Sequence, residues 1–141
     1  MLEEKEKKLQ KLYMQFQVLE QHIKQMQQQA AALNAQLLDL ISTTHSLDEL
    51  KNVKPGTEIL VPISSGIYAK GEIKDNSHLI VNVGANITVS KNLDDTRKIV
   101  ETQAEEMKEL QKQALEELQI LTNQAAIIEK EMNNLASDKN V

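Results

Sequence analysis

Hydrophobic residues recur along the first third of the chain in alternating steps of three and four. The series Leu2, Leu9, Leu12, Phe16, Leu19, Ile23, Met26, Ala30, Leu33, Leu37 and Leu40 is broken only at Lys5. That is the a/d spacing of a coiled coil, sustained over about six heptads. Residues 1–47 contain no Gly or Pro, so the pattern predicts one helix, about 65–70 Å long at the usual rise. Residues 94–141 repeat the theme through Val100, Met107, Leu110, Ala114, Leu118, Leu121, Ala125, Ile128, Met132 and Leu135. From Met107 the steps run 3-4-4 before 3-4 returns. That reads as an eleven-residue insert, which locally unwinds a left-handed supercoil. Asp94 and Asp95 stand where acidic residues favour a helix start. Two helices of nearly equal length predict an antiparallel hairpin.

Between the helices the period shifts to two. Thr57–Ile63, Ile67–Ile73, His78–Val83 and Ile87–Lys91 are short and rich in β-branched residues. Turn residues separate them: Ser64-Ser65-Gly66, Lys74-Asp75-Asn76-Ser77 and Gly84-Ala85-Asn86, with Lys54-Pro55-Gly56 leading in. Two β-hairpins follow. Pro62 cannot donate to a ladder, so its strand lies at an edge or kinks there. One face carries Ile59, Val61, Ile63, Ile67, Ala69, Ile73, Leu79, Val81, Val83, Ile87 and Val89. An insert of roughly 35 residues is below the size at which a domain holds together alone, roughly 40. It has no disulfide or metal to staple it, and a two-helix hairpin cannot cover it. The expected fold is therefore α+β: a long antiparallel coiled-coil helical hairpin with an inserted four-stranded region, two β-hairpins, that serves oligomerisation. Its segments are residues 1–47, 48–93 and 94–141.

Composition supports long helices over a compact core. The 141 residues include no Cys or Trp, and the aromatics are Tyr13, Phe16 and Tyr68. Aromatics normally supply much of a core's buried area. The absence of Cys excludes disulfides, thiolate metal sites and a Cys nucleophile and suits a cytoplasmic setting. The charged start (Glu3, Glu4, Lys5, Glu6, Lys7, Lys8, Lys11) is no secretory signal, and no apolar run is long enough to span a bilayer. Asn86-Ile87-Thr88 matches the glycosylation triplet and is read as chance. The net charge of −5 is concentrated in residues 94–138, with eleven acidic and five basic side chains. An acidic helix repels phosphate, so neither nucleic acid nor membrane is an expected partner.

Candidate chemistry is sparse. Gly66 to Gly71 lacks the Lys-Ser/Thr that a phosphate-cradling loop needs. His22, His45 and His78 lie in three different segments, whereas a metal needs converging ligands. Glu105-Glu106 and Glu116-Glu117 are expected as solvated flanking charges of a coiled coil, not as a shielded acid–base dyad. No catalytic residue, metal site or cofactor is expected.

A long helix, a β insert and a second helix of matching length resemble the prefoldin family. Glu58-Ile59-Leu60-Val61-Pro62, then Gly66, Tyr68 and Lys70, then Val81-Asn82-Val83-Gly84, are similar to its alpha class. Two hairpins mark that class; beta-type subunits have one. The resemblance implies a hexamer of two alpha with four beta-type subunits, whose β regions form a double barrel. It implies an ATP-independent holdase that captures unfolded client proteins at coiled-coil tips and passes them to a group II chaperonin. The assembly residues would be Ile59, Val61, Ile63, Ile67, Ile73, Leu79, Val81, Val83, Ile87 and Val89. The alternative is a structural coiled-coil tether or filament subunit joined through its β inserts.

Client binding is expected near the chain termini. Tyr13, Met14 and Val18 on the first helix, and Ile120 and Ile127 on the second, are apolar but off the seam. Matching the helices from their outer ends sets Tyr13 level with Ala126 and Val18 level with Leu121. Leu2, Leu9, Met132 and Leu135 add apolar surface where the hairpin frays.

Overall fold

A computed structural model describes residues 2–138 of the chain. The element order is α1 (Leu2–Lys51), β1 (Glu58–Ser64), β2 (Ile67–Glu72), β3 (His78–Gly84), β4 (Ile87–Asn92) and α2 (Leu93–Asp138). Met1 and residues 139–141, which belong to the expected segments 1–47 and 94–141, lie outside the described residues. The chain forms two compact units: residues up to Gln36 with those from Met107 on, and Leu37–Glu106.

In the first unit the seam of α1 follows the predicted series, with Ala30 buried and Leu9 through Leu33 half-buried at each step. Lys5 is half-buried in line with them, as a long aliphatic stem permits. On α2 the expected insert is absent. The buried and half-buried positions are Met107, Gln111, Ala114, Leu118, Leu121, Ala125, Ile128, Met132 and Leu135. These alternate four and three without interruption. Gln111, not Leu110, takes the seam position; Leu110 is 47% exposed. Reading by hydrophobicity prefers the leucine, whereas the helix keeps its 3.5-residue frame and admits a polar side chain. Gln111 finds a partner across the seam, its Nε2 donating to Asn34 Oδ1 at 3.1 Å.

In the second unit α1 continues to Lys51, four residues past the expected Leu47. Its seam runs on through Leu40, Thr44, Leu47 and Leu50. Thr44 hides the pattern from sequence, but its hydroxyl donates to the Leu40 carbonyl at 3.1 Å, so it sits in the seam satisfied. On α2, Leu93, Thr96, Val100 and Ala104 are buried. Asn92 caps α2, its Oδ1 accepting from the Asp95 N–H at 2.7 Å. The Asn76 amide closes the other helix end: Nδ2 donates to the carbonyls of Leu50 (3.3 Å), Lys51 (3.3 Å) and Val53 (2.6 Å). Such carbonyls have no partner within their own helix. Arg97 joins α2 to α1: Nη2 donates to Asp48 Oδ2 at 3.2 Å, while Nε lies 2.8 Å from Oδ1 as a charge contact without an aligned N–H.

The hairpins form two separate antiparallel sheets, β1-β2 and β3-β4. Their ladders repeat: adding twenty to each number of Glu58↔Glu72 through Ser64↔Ile67 gives His78↔Asn92 through Gly84↔Ile87. Both carry a bulge at the same place, between Pro62 and Ser64 and between Asn82 and Gly84. Pro62 therefore does not cause the irregularity, since Asn82 shares it; a two-stranded sheet merely leaves room for a residue that cannot donate. The turns differ. Ala85 and Asn86 both have positive φ (50° and 60°), whereas in the first turn Gly66 does (79°). Two consecutive positive φ values are those of a type I′ hairpin turn.

Candidate functional site

Two regions concentrate exposed apolar surface. The first is the pair of hairpins. Cross-strand partners Val61↔Ala69 and Val81↔Val89 put these residues on one face of their sheets. Ile59 and Leu79 share those faces and are half-buried; Ile73 extends the first ladder, its N–H bonded to the Thr57 carbonyl at 3.0 Å. Ile63, Ile67, Val83 and Ile87 are all more than half exposed. The opposite faces are also apolar, which the single-face reading missed. Leu60 and Tyr68 are exposed on the back of the first hairpin, and Ile80 is 74% exposed on the back of the second. The sequence signal was the Pro62↔Tyr68 pair beside Leu60, an apolar cluster at positions that alternation assigns to solvent.

The second region is the end of the paired helices that carries the termini. One open groove, ≈ 660 Å³, is lined by Leu9, Gln10, Tyr13, Met14, Met132, Asn133 and Ala136. Another, ≈ 520 Å³, is lined by Lys11, Met14, Gln15, Val18, Leu19 and Ile128. Met14 is shared, so the two grooves meet on its side chain. A third, ≈ 620 Å³, is lined by Phe16, Glu20, Ile23, Thr122, Ala126 and Glu129, among others. Tyr13, Met14 and Val18 are each more than half exposed.

This geometry corrects the expected helix register. Tyr13 shares its groove with Met132, and Asn34 bonds Gln111. Tyr13 is thus level with Met132, about six residues from the expected Ala126. Counting along two helices of equal rise, Val18 is level with Ile127, and Ile120 with Gln25. The expected level was drawn from the outer ends, but Asp48 and Arg97 follow the same offset as Asn34 and Gln111. The register is therefore the one these bonded pairs report and not the one obtained by matching the helix ends. The expected cluster is consequently divided. Leu9, Tyr13, Met14 and Met132 share one groove, and Met14 and Val18 share the other. Ile120 and Ile127 are exposed and line neither of these two. Leu135 is half-buried in the seam, and Leu2 is 67% exposed.

Among the described residues charged groups do not converge as a reaction centre would require. Among the described residues no group of three or more His, Cys, Asp or Glu could hold a metal ion. His45 Nε2 lies 3.2 Å from Glu49 Oε1 on the same helix. Asp75 accepts from the Ser77 backbone N–H at 2.8 Å and from its hydroxyl. The Ser77 hydroxyl chiefly holds the Asp75 carboxyl below its ordinary pKa, with the backbone N–H next. No helix among the described residues is long and apolar enough to cross a membrane.

A family profile described as prefoldin subunit matches residues 19–138, which take in most of α1, both hairpins and α2. This chain belongs to the prefoldin family. As a prefoldin subunit it is part of a chaperone, not an enzyme. It is 40% identical to prefoldin subunit alpha 1 of Thermococcus kodakarensis over 71% of this chain and 68% of that one. It is 26% identical to prefoldin subunit alpha of Methanobrevibacter smithii over 95% of this chain and 91% of that one. The prefoldin fold is also that of filamentous PFD from Methanocaldococcus jannaschii, solved by cryo-EM (TM-score 0.57, 20% identity, 86% of this chain and 94% of that one).

Proposed function

We propose that this prefoldin chain is an alpha-type subunit of an ATP-independent holdase, which binds apolar segments of unfolded proteins at the tips of its helices. The observation that carries the reading is the pair of apolar grooves meeting on Met14 at the terminal end of the helices. Met suits varied partners because its side chain is flexible and polarizable. The sheet residues from Ile59 to Val89 join the chain to beta-type subunits, two alpha with four beta. Bound clients pass to a group II chaperonin in the cytoplasm. No nucleotide enters the cycle.

The test is suppression of aggregation of a chemically denatured enzyme by the assembled complex. Replacing Tyr13, Met14 and Val18, which line the two grooves, by Ser lowers protection several-fold while the complex mass stays the same, and added ATP changes neither. Full protection by the intact mutant complex moves the binding site elsewhere. The same assay separates the second reading, a structural tether or filament subunit, which the filamentous relative favours. A spacer does not protect a denatured enzyme.

A further inference from the structure

The two tip grooves differ in charge as well as shape. The Val18 groove is lined by Lys11 and by no carboxylate. Lys7 and Lys8 lie one turn before Lys11, so all three fall on neighbouring positions of one helix surface. All three are exposed, and none is in an ion pair among the described residues. The acids nearest the three lysines along α1 are Glu3, Glu4 and Glu6, and Glu131 stands on α2; Glu20 and Glu129 adjoin the lining residues Leu19 and Ile128, and none of these six lines the groove. The groove that continues along Phe16 instead carries Glu20 and Glu129 against Lys24.

An apolar segment bound in a short groove must leave its flanking charges at the groove's ends. At the Val18 groove those charges meet ammonium groups on long flexible stems, each pairing exposed and individually weak because ordering the stem costs rotamer entropy. We propose that this groove selects apolar client segments flanked by carboxylates, with Lys7, Lys8 and Lys11 setting the preference. The inference rests on the tip-binding reading above and names the class of client that one groove takes.

Three peptides sharing one aliphatic core, flanked by Glu, Lys or Gln, test it by fluorescence anisotropy with the assembled complex. The Glu-flanked peptide binds on the order of five-fold tighter than the Lys-flanked one at low salt, as several exposed pairs permit. The ratio falls toward one at high salt, where exposed charges are screened. Changing Lys7, Lys8 and Lys11 together to Gln abolishes the ratio, and changing them to Arg keeps it. A ratio that survives the Gln variant overturns the inference while leaving tip binding intact. No binding of any of the three peptides by the wild-type complex overturns tip binding as well. Displacement of the Glu-flanked peptide by a single-stranded oligonucleotide at far lower concentration than by unlabelled peptide reassigns the lysines to polyanions and overturns the inference.

Discussion

The sheets offer the most direct test of assembly, through Val61→Asp combined with Val81→Asp. These positions correspond in the two ladders, opposite Ala69 and Val89. Val61 is 42% exposed in the single chain. A carboxylate there stays solvated before assembly, so the fold of the isolated chain should tolerate it. Covering the face changes the balance. Losing the burial of the remaining half of a Val forfeits roughly 1 kcal/mol, taking about 1.5–3 kcal/mol for a full aliphatic side chain. An uncompensated buried carboxylate adds about 3–5 kcal/mol. At about 1.4 kcal/mol per tenfold, association weakens by at least about two to three orders of magnitude. Sedimentation velocity of the chain in the complex with beta-type subunits proposed above should show loss of that complex at micromolar concentration. Far-UV circular dichroism should keep most of its helical signal. A complex of unchanged mass at nanomolar concentration would refute the reasoning, because a face that tolerates two carboxylates is not covered.

The junction of α1 and the hairpins carries two further predictions. Asn76→Ala removes the amide that bonds three carbonyls at the helix end. It should cost about 1–2 kcal/mol, read as faster amide exchange at the end of α1, with the distant tip unaffected. Asp75 has a lowered carboxyl pKa, so its stabilising contact with Ser77 is fully present above the unfolded carboxylate value of about 3.8. It is lost as pH falls through the lower folded value. Thermal melts at pH 7 and pH 3 should therefore show a smaller acid-induced loss for Asp75→Asn than for wild type; equal losses would remove Asp75 from the account.

Most of the fold was legible because it rests on two periods. Aliphatic residues at 3.5-residue spacing specify the helices, and β-branched residues at period two specify the hairpins. The two failures in the helix seams share an origin in seam positions occupied by polar side chains. Gln111 looked like surface and Leu110 like core, yet helix geometry gave the seam to the glutamine and a bond to Asn34. Thr44 likewise concealed the last turns of α1, because its hydroxyl is satisfied by its own helix. Matching the helices from their ends missed the register, which pairs between distant residues such as Asp48 with Arg97 report only once the chain is folded. The off-seam apolar residues Tyr13, Met14 and Val18 could be named individually as exposed. Their division between grooves could not, because it depends on that register.

Both exposed surfaces are apolar, but their layouts suit different binding strengths. The sheets put Ile59, Val61, Leu79 and Val81 with their partners on regular ladders whose side chains project at fixed spacing. Complementary strands can cover the residues of each ladder together, so contributions within a sheet add. The tip grooves offer a few residues each on α1 and α2, in open depressions that share Met14. The proposed function requires each groove to hold a segment only weakly. Under the proposed function that weakness is useful, because a client must later be released without nucleotide. Useful capture then requires several tips held together, so that each weak contact is made at the effective concentration set by the others. This links the two surfaces: a chain prevented from assembling should lose client protection even with every tip residue intact. The Val61→Asp, Val81→Asp chain provides that comparison, and full protection by the unassembled chain would break the link.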